Sequence, residues 1–215
     1  CCSLIFMRFS ELSPQQGNIV AKFSLATTQE VVAGSDWYTD AHKIAGRIAS
    51  MYNLHHAVVA AVIAALSPNN KWERNCQDAE NIIAAYYHGN EDDALLVKVC
   101  TYKANKIKAV KCLAKGLGYD DLKTILNGPK VIEFFHCIIG TPHRDVCIDG
   151  HAYSIWFGER LTLKKVPNIG KRLRERIKED YITVTDWINE ELDTSYEPSQ
   201  IQAITWVCHR RIYGV

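Results

Sequence analysis

This 215-residue sequence lacks the common motifs for binding metals and nucleotides. Eight cysteines are present, but no two form a CxxC pair and none has the spacing of a zinc or iron–sulfur site. There is no Walker-type glycine loop, so a nucleoside-triphosphate site has no support. We therefore expect no metal and no cofactor. Because most of the cysteines lie in apolar helical patterns, we expect a reduced, cytosolic protein.

Strong charge is also missing. The formal net charge is +1, so the total charge supplies no global field for a nucleic acid, and any nucleic-acid interface must be a local basic patch. The apolar stretch CCSLIFM (1–7) lacks the charged region and the length of a signal peptide, and it is too short to span a bilayer. We expect no membrane association.

The pattern is helical nearly throughout, without a β-hairpin, repeat or low-complexity segment. Residues 1–34 give weak indications and are interpreted as an N-terminal arm, either extended or with a short helix, followed by a single helical domain over 35–215. Residues 54–66 are apolar on nearly every face, which predicts a central buried helix. A further helix over 129–140 begins with a proline in its first turn. The sequence predicts an all-α fold of about ten helices, arranged as two intimately packed helical halves.

Two side chains are candidates for chemistry. Lys130 is the second residue of the helix that begins at Pro129, where the positive end of the helix dipole disfavours a charged amine, as a nucleophilic or Schiff-base lysine requires. A solvated surface lysine is the alternative. Asp149 follows nineteen positions later, directly after the apolar run 146–148. It could cap the helix that starts at Gly150, or act as a fixed carboxylate that stabilises a cationic transition state or activates a nucleophile.

The stretch LNGPKVIEFFHCIIGTPHRDVCIDGHAYSIWFG resembles the core of the helix-hairpin-helix DNA glycosylases, the superfamily that includes endonuclease III. In that family a hairpin leads into a helix that carries a lysine in the bifunctional members, and a loop then delivers the catalytic aspartate. The resemblance sets Lys130 near the family's lysine, Asp149 on the aspartate and His151 on the histidine that follows it. It implies a helix-hairpin-helix element, a DNA glycosylase-like fold and double-stranded DNA as the partner.

The resemblance extends upstream. AAVIAALSPNNKWERNCQDAENII is similar to the family's buried helix and the polar loop that enters DNA. Asn69 falls where many members have a glutamine that fills the gap left by an extruded base, and Asn70 and Lys71 belong to the same predicted DNA-binding loop. The chain departs from the family in its shorter hairpin, LNGPK, and in lacking the four-cysteine iron–sulfur motif. VPNIGKRLRERI (166–177) is either a second backbone-binding hairpin or merely the start of a helix.

Contacts with DNA phosphates need cations and backbone amides. We expect the amides of Asn127 and Gly128 to contribute, and we expect His151 to be a further DNA-binding residue. One basic cluster lies over 103–115, and a second, over 164–176, includes Lys171 and Arg172; solvated helix faces are the alternative for both. Three aromatic residues are candidates to stack on an extruded base, with the hydrophobic core as their alternative location. These residues are Trp72, Tyr153 and Trp156.

Three functions remain open. The resemblance favours a DNA N-glycosylase that flips and excises a damaged or modified base, with AP-lyase activity if Lys130 attacks the sugar. We expect a monomer, although no pattern in the sequence determines the oligomeric state. Gly128–Lys130, Ile148–Asp149 and Gln202–Trp206 are also similar to a phage-associated branch, the α-glutamyl/putrescinyl thymidine pyrophosphorylases. That branch implies transfer of an amine or amino acid to an activated thymidine base. Under either reading we expect the protein in the cytosol of a bacterium or phage-infected host. The third possibility is a DNA-binding module without catalysis.

Overall fold

The computed structural model describes residues 10–140, 144–162 and 164–214. Within these ranges the chain forms eleven α-helices and no β-strand, which confirms the predicted all-α fold class. Two compact units can be distinguished. The central unit is formed by Thr39–Thr141, and the terminal unit combines Cys1–Tyr38 with Pro142–Val215.

The helices divide between these units. The terminal unit contains α1 (Pro14–Ser24), α9 (Gly150–Phe157), α10 (Lys171–Leu192) and α11 (Pro198–Tyr213). The central unit contains α3 (His56–Leu66), α4 (Trp72–His88), α5 (Glu91–Leu96), α6 (Lys103–Lys111), α7 (Tyr119–Leu126) and α8 (Pro129–Ile139). The longest helix, α2 (Thr28–Tyr52), belongs to both, because its first turns lie in the terminal unit and the rest in the central unit.

The N-terminal region is more helical than the sequence analysis expected. The predicted boundary between an arm over 1–34 and the helical domain falls inside α2, and α1 precedes it. Both helices begin with reciprocal capping. Ser13 and Gln16 exchange backbone and side-chain hydrogen bonds at the start of α1, and Thr27 and Glu30 do so at the start of α2. Residues 1–9 lie outside the described residues.

The centre of the central unit is α3. All residues from Val59 to Leu66 are at most 1% exposed, which confirms the predicted buried helix. Four helices, α4, α6, α7 and α8, pack around it, so it has no polar face. No single described helix is long and apolar enough to cross a membrane; α2 and α3 taken together, with a bend of 119° between them, meet the length and composition of a span.

The terminal unit is built around α1, which packs against α9, α10 and α11. Its core includes Val146 and Ile148, both fully buried, and Tyr181 from α10. The segment that leads into α9 therefore runs through the interior of this unit. Burial of this segment brings Asp149, the residue that follows it, to the edge of the core.

Gly34 sets the approach of α2 to α11 inside the terminal unit. A Cβ atom at Gly34 would lie 2.4 Å from Ile204 Cα and 2.6 Å from Ile204 N. We expect Gly34→Ala to lower the free energy of unfolding by about 1–3 kcal/mol, because one backbone must move away from the other. Urea denaturation measures the change.

Gly46, in the same helix, is the matched control. Its added Cβ would meet only His56 Cδ2, at 3.6 Å, an ordinary contact. Gly46→Ala should raise the free energy of unfolding by about 0.5–1 kcal/mol, because alanine loses less backbone entropy than glycine in a helix. Equal effects of the two substitutions would contradict the close approach at Gly34.

Candidate active site around Asp149

Asp149 is the N-cap residue of α9. Its backbone is extended, with φ −102° and ψ −175°, and its Oδ1 accepts a hydrogen bond of 2.8 Å from the amide of Ala152. The side chain is half-buried. Its other carboxylate oxygen accepts no hydrogen bond from the residues that the structure describes. The capping role is therefore present, and it leaves one oxygen in a fixed position for a further interaction.

The segment that delivers Asp149 is held on one face of α10. Arg174 donates from Nη1 to the carbonyl oxygen of Ile148, at 2.8 Å. One turn further along the same helix, Lys178 Nζ forms an ion pair with Asp145 Oδ1, at 2.7 Å. Because these two cations bind both ends of segment 145–148, the approach to Asp149 has one defined course. Arg174 is thus a structural residue of the predicted second basic cluster.

Two histidines lie beside Asp149. His151, in the first turn of α9, is half-buried, and its ring centroid is 5.6 Å from that of His209 in α11. His209 is 2% exposed, and its Nδ1 is buried without a hydrogen-bond partner among the described residues. Burial is the main cause that lowers the pKa of His209 to about 4; Lys22 and His151 lower it further, and Asp149 opposes them. His209 is therefore neutral at neutral pH.

A layer of buried polar groups lies beneath this end of α9. The Tyr181 hydroxyl donates to the carbonyl oxygen of Ala152 at 3.5 Å. Burial raises the pKa of Tyr181, and the negative charge of Asp149 raises it further. A hydrogen bond with Thr205 lowers this pKa but does not offset burial. Gln202, one turn before Thr205 on α11, accepts a hydrogen bond from the Tyr38 hydroxyl at 3.1 Å. These contacts connect the first turn of α9 to α2, α10 and α11.

The predicted hairpin residues lie in the central unit. α7 and α8 are joined by only Asn127 and Gly128, and Asn127 has the left-handed conformation, with φ 51°. Lys108 of α6 donates to the carbonyl oxygen of Leu126 at 2.9 Å and so satisfies the end of α7. Lys130 follows Pro129 in the first turn of α8 and is exposed. The helix start predicted at Pro129 is confirmed.

The buried carboxylate of Asp78 binds residues of the predicted DNA-entering loop and of the segment beside it. Asp78 of α4 is fully buried and accepts hydrogen bonds from Arg74 Nε at 2.7 Å, Asn70 Nδ2 at 3.0 Å and the amide of Cys100 at 2.8 Å. Asn69 is exposed, has φ 56° and donates from Nδ2 to the hydroxyl of Tyr102 at 2.7 Å.

Lys71 and Trp72 lie next to this loop. Lys71 is the exposed N-cap residue of α4, and no side-chain hydrogen bond caps that helix. Trp72 is half-buried and packs edge-on against Phe134 at 6.2 Å. The predictions that this loop binds DNA and that Trp72 stacks on a base remain predictions.

Two of the three aromatic residues predicted to stack on a base belong to the core of the terminal unit. Tyr153 is 7% exposed and Trp156 is 5% exposed. Trp156 donates from Nε1 to Asp180 at 2.7 Å, and the Arg176 guanidinium lies 5.7 Å from its ring. This burial agrees with the core alternative, because neither ring has an exposed face on which a base could stack.

Lys171 and Arg172 form the exposed first turn of α10. The N-cap residue, Gly170, provides no side chain, and no acidic residue lies in this turn. Cations are disfavoured at this end of a helix by about 0.3–1 kcal/mol unless an anion is near. No helix lies in residues 158–162 and 164–170, and α10 begins at Lys171 within the stretch 166–177. That this stretch binds the DNA backbone stays a prediction.

Sequence reasoning missed His209 and Asp78. The spacing of Gln202, Thr205 and His209 places them on one face of α11, and this spacing was the available indication. Arg74 and Asp78 form an i, i+4 pair, which reads equally well as a solvated surface pair. Among the described residues no group of three or more His, Cys, Asp or Glu side chains could hold a metal ion.

Comparison with known proteins identifies the family. A model of a family of unknown function, DUF7178, matches residues 7–212, and the chain belongs to this family. Searches of curated proteins and of solved structures returned no match.

The neutral state of His209 predicts an acid sensitivity. Because its pKa in the folded protein is about 4, against an ordinary value of 6.5, the unfolded chain binds a proton more readily. The stabilisation that neutral His209 contributes is complete above pH 6.5. As the pH falls towards 4 this contribution is lost, which lowers the free energy of unfolding by about 3 kcal/mol. The difference in free energy of unfolding between wild type and His209→Gln, measured by urea denaturation from pH 7.5 to 4, should shrink by this amount. A difference independent of pH would contradict the assignment.

Proposed function

We propose that the protein acts on bases in double-stranded DNA as an N-glycosylase of the helix-hairpin-helix type. The observation that carries the proposal is the Asp149 carboxylate, which is held in place by one capping hydrogen bond and by a buried approach anchored at two points. Its second oxygen accepts no hydrogen bond from the described residues. A preorganised negative charge of this kind stabilises positive charge that develops in a transition state. The two helices joined by Asn127 and Gly128 support the same reading.

The proposed reaction begins with extrusion of the target nucleotide from the duplex. The bond between C1′ of the sugar and the base nitrogen breaks, and its electron pair leaves with the base. The sugar becomes an oxocarbenium ion, which Asp149 stabilises. Water then attacks C1′ and loses a proton, which leaves an abasic site.

DNA binding requires contacts with phosphates, and several exposed groups support it. In the terminal unit these are Lys171, Arg172 and the amides of the first turn of α10, where the cations lie at the positive end of a helix dipole. In the central unit they are Lys71 and the short connection between α7 and α8. The loop residue Asn69 is exposed in the left-handed conformation and is the candidate to fill the gap left by the extruded base.

Asp149 has two roles that substitutions can separate. Asparagine caps a helix as well as aspartate does, whereas alanine costs about 1 kcal/mol of stability. We expect Asp149→Asn to keep the stability of the wild type and to slow base release by about a hundredfold or more. Asp149→Ala should lose both the stability that capping provides and the rapid release of the base. Base release is measured on a panel of duplexes with damaged or modified bases, and an unchanged rate for Asp149→Asn would favour the non-catalytic DNA-binding module.

Lys130 decides whether strand cleavage follows. If its amine attacks C1′ in place of water, an imine forms between Lys130 and the opened sugar, and borohydride reduces it to a stable amine. We expect a covalent protein–DNA complex with wild type and none with Lys130→Ala. Lys43→Ala, which removes an exposed lysine paired with Asp40, is the control and should trap as well as wild type. Equal trapping by Lys130→Ala would exclude Lys130 as the nucleophile.

Transfer of an amine or amino acid to an activated thymidine base is the second candidate. The observation that favours it is the position of Gln202 and Thr205, which belong to the stretch similar to the phage-associated branch. Both are buried, and Thr205 and Tyr181 connect that stretch to the first turn of α9. In this reaction the nitrogen of the amine attacks the activated carbon of the base, the activating group leaves as a phosphate with the electron pair of its bond, and Asp149 accepts the proton that the amine loses. Mass spectrometry of nucleosides separates the candidates, since excision leaves abasic sites and transfer leaves a heavier nucleoside.

A further inference from the structure

Two cations converge on one aromatic ring of the terminal unit. Lys22 Nζ, from α1, lies 4.8 Å from the ring centroid of Tyr213 in α11, and the guanidinium carbon of Arg160, in the segment after α9, lies 5.3 Å from it. Neither cation forms an ion pair with a carboxylate of the described residues. Two cations that lie against the same aromatic ring repel each other, because the ring carries no net charge that could neutralise them. An anion bound beside them would remove this repulsion.

The same ring contacts the histidine pair beside Asp149. The ring centroids of Tyr213 and His209 are 4.7 Å apart, and His209 in turn contacts His151. His209 is 98% buried, yet its Nδ1 has no hydrogen-bond partner among the described residues. A buried polar atom without a partner costs about 1–3 kcal/mol, and a bound group that forms a hydrogen bond with it would recover part of this cost.

The charges that act on His209 come from several elements. Lys22 of α1, Arg160 of the segment after α9 and His151 of α9 disfavour its protonation, whereas Asp149 favours it. The described surroundings of this site therefore have an excess of positive charge. An anion bound there would remove the repulsion between Lys22 and Arg160.

We propose that Lys22, Arg160 and the His151–His209 pair form a binding subsite for a phosphate group beside Asp149. Phosphate fits this set because it accepts several hydrogen bonds at once, from an ammonium, a guanidinium and imidazole N–H groups. The ring of Tyr213 holds the two cations without neutralising them. The inference rests on the proposed function only for the substrate that carries the phosphate, since binding itself needs no catalysis.

The phosphate has two possible sources, which share this chemistry. It is either a phosphodiester of the DNA strand that carries the target base, or a free phosphate or diphosphate, such as a leaving group. Binding is followed in the full chain by nuclear magnetic resonance of the imidazole protons of His209, assigned with His209→Gln. Inorganic phosphate, pyrophosphate and a short DNA duplex are added in separate titrations, each at an ionic strength matched with chloride.

Binding at the subsite should raise the pKa of His209, because the anion offsets Lys22 and Arg160. The double variant Lys22→Gln/Arg160→Gln should weaken binding by about tenfold or more, since it removes two charge-assisted contacts. The double variant Lys43→Gln/Lys98→Gln is the matched control: it removes the same charge from two exposed lysines outside the cluster and should change affinity by less than about twofold.

The outcomes separate the sources and the hypotheses. A response of His209 to phosphate or pyrophosphate that depends on Lys22 and Arg160 supports a free phosphate ligand, and the same response to the duplex alone supports a backbone phosphate. No response to any of the three, or equal affinities of the wild type and the Lys22/Arg160 variant, overturns the proposal. If phosphate binds but no base is released or modified, the subsite stands and the proposed function fails.

Discussion

Residues 146–148, which lead to Asp149 and α9, are buried in the interior of the terminal unit, where water cannot reach their backbone polar groups. Backbone N–H and C=O groups buried in this way need partners from the protein. Arg174 supplies one to the carbonyl of Ile148, Lys178 binds the side chain of Asp145, and Asp149 itself caps the helix that follows. The position of the candidate catalytic carboxylate depends on this set of bonds.

The same constraint explains the composition of the surrounding helices. α10 carries cations at two successive turns of one face because they bind the buried segment, so part of its basic character is structural. α11 carries Gln202, Thr205 and His209 on the face turned toward the core, where they meet Tyr38, Tyr181 and His151. A buried polar network of this kind fixes side-chain positions when each member has a partner. His209 is the member whose Nδ1 lacks one among the described residues.

Several elements of the fold could be predicted from local pattern. The uniformly apolar run before Ser67 predicted the buried helix α3, and Pro129 after a glycine predicted the start of α8. The first 34 residues were underestimated, because their helices show short apolar faces and their capping pairs, Ser13 with Gln16 and Thr27 with Glu30, are brief patterns. Trp156 illustrates the opposite difficulty: an aromatic residue at helical spacing has the same pattern whether it packs in a core or faces a ligand.

The sequence by itself determined the helical class, the capping position of Asp149 and the placement of Lys130 in a first turn, since each follows from neighbours within four residues. Only the tertiary structure decided what surrounds Asp149. Lys22, Arg160 and His209 come from elements as far apart in the chain as α1 and α11, and packing of these elements, rather than sequence spacing, brings their charges to one site. Electrostatic interactions depend on distance in space and on burial, and neither quantity is written in the order of residues.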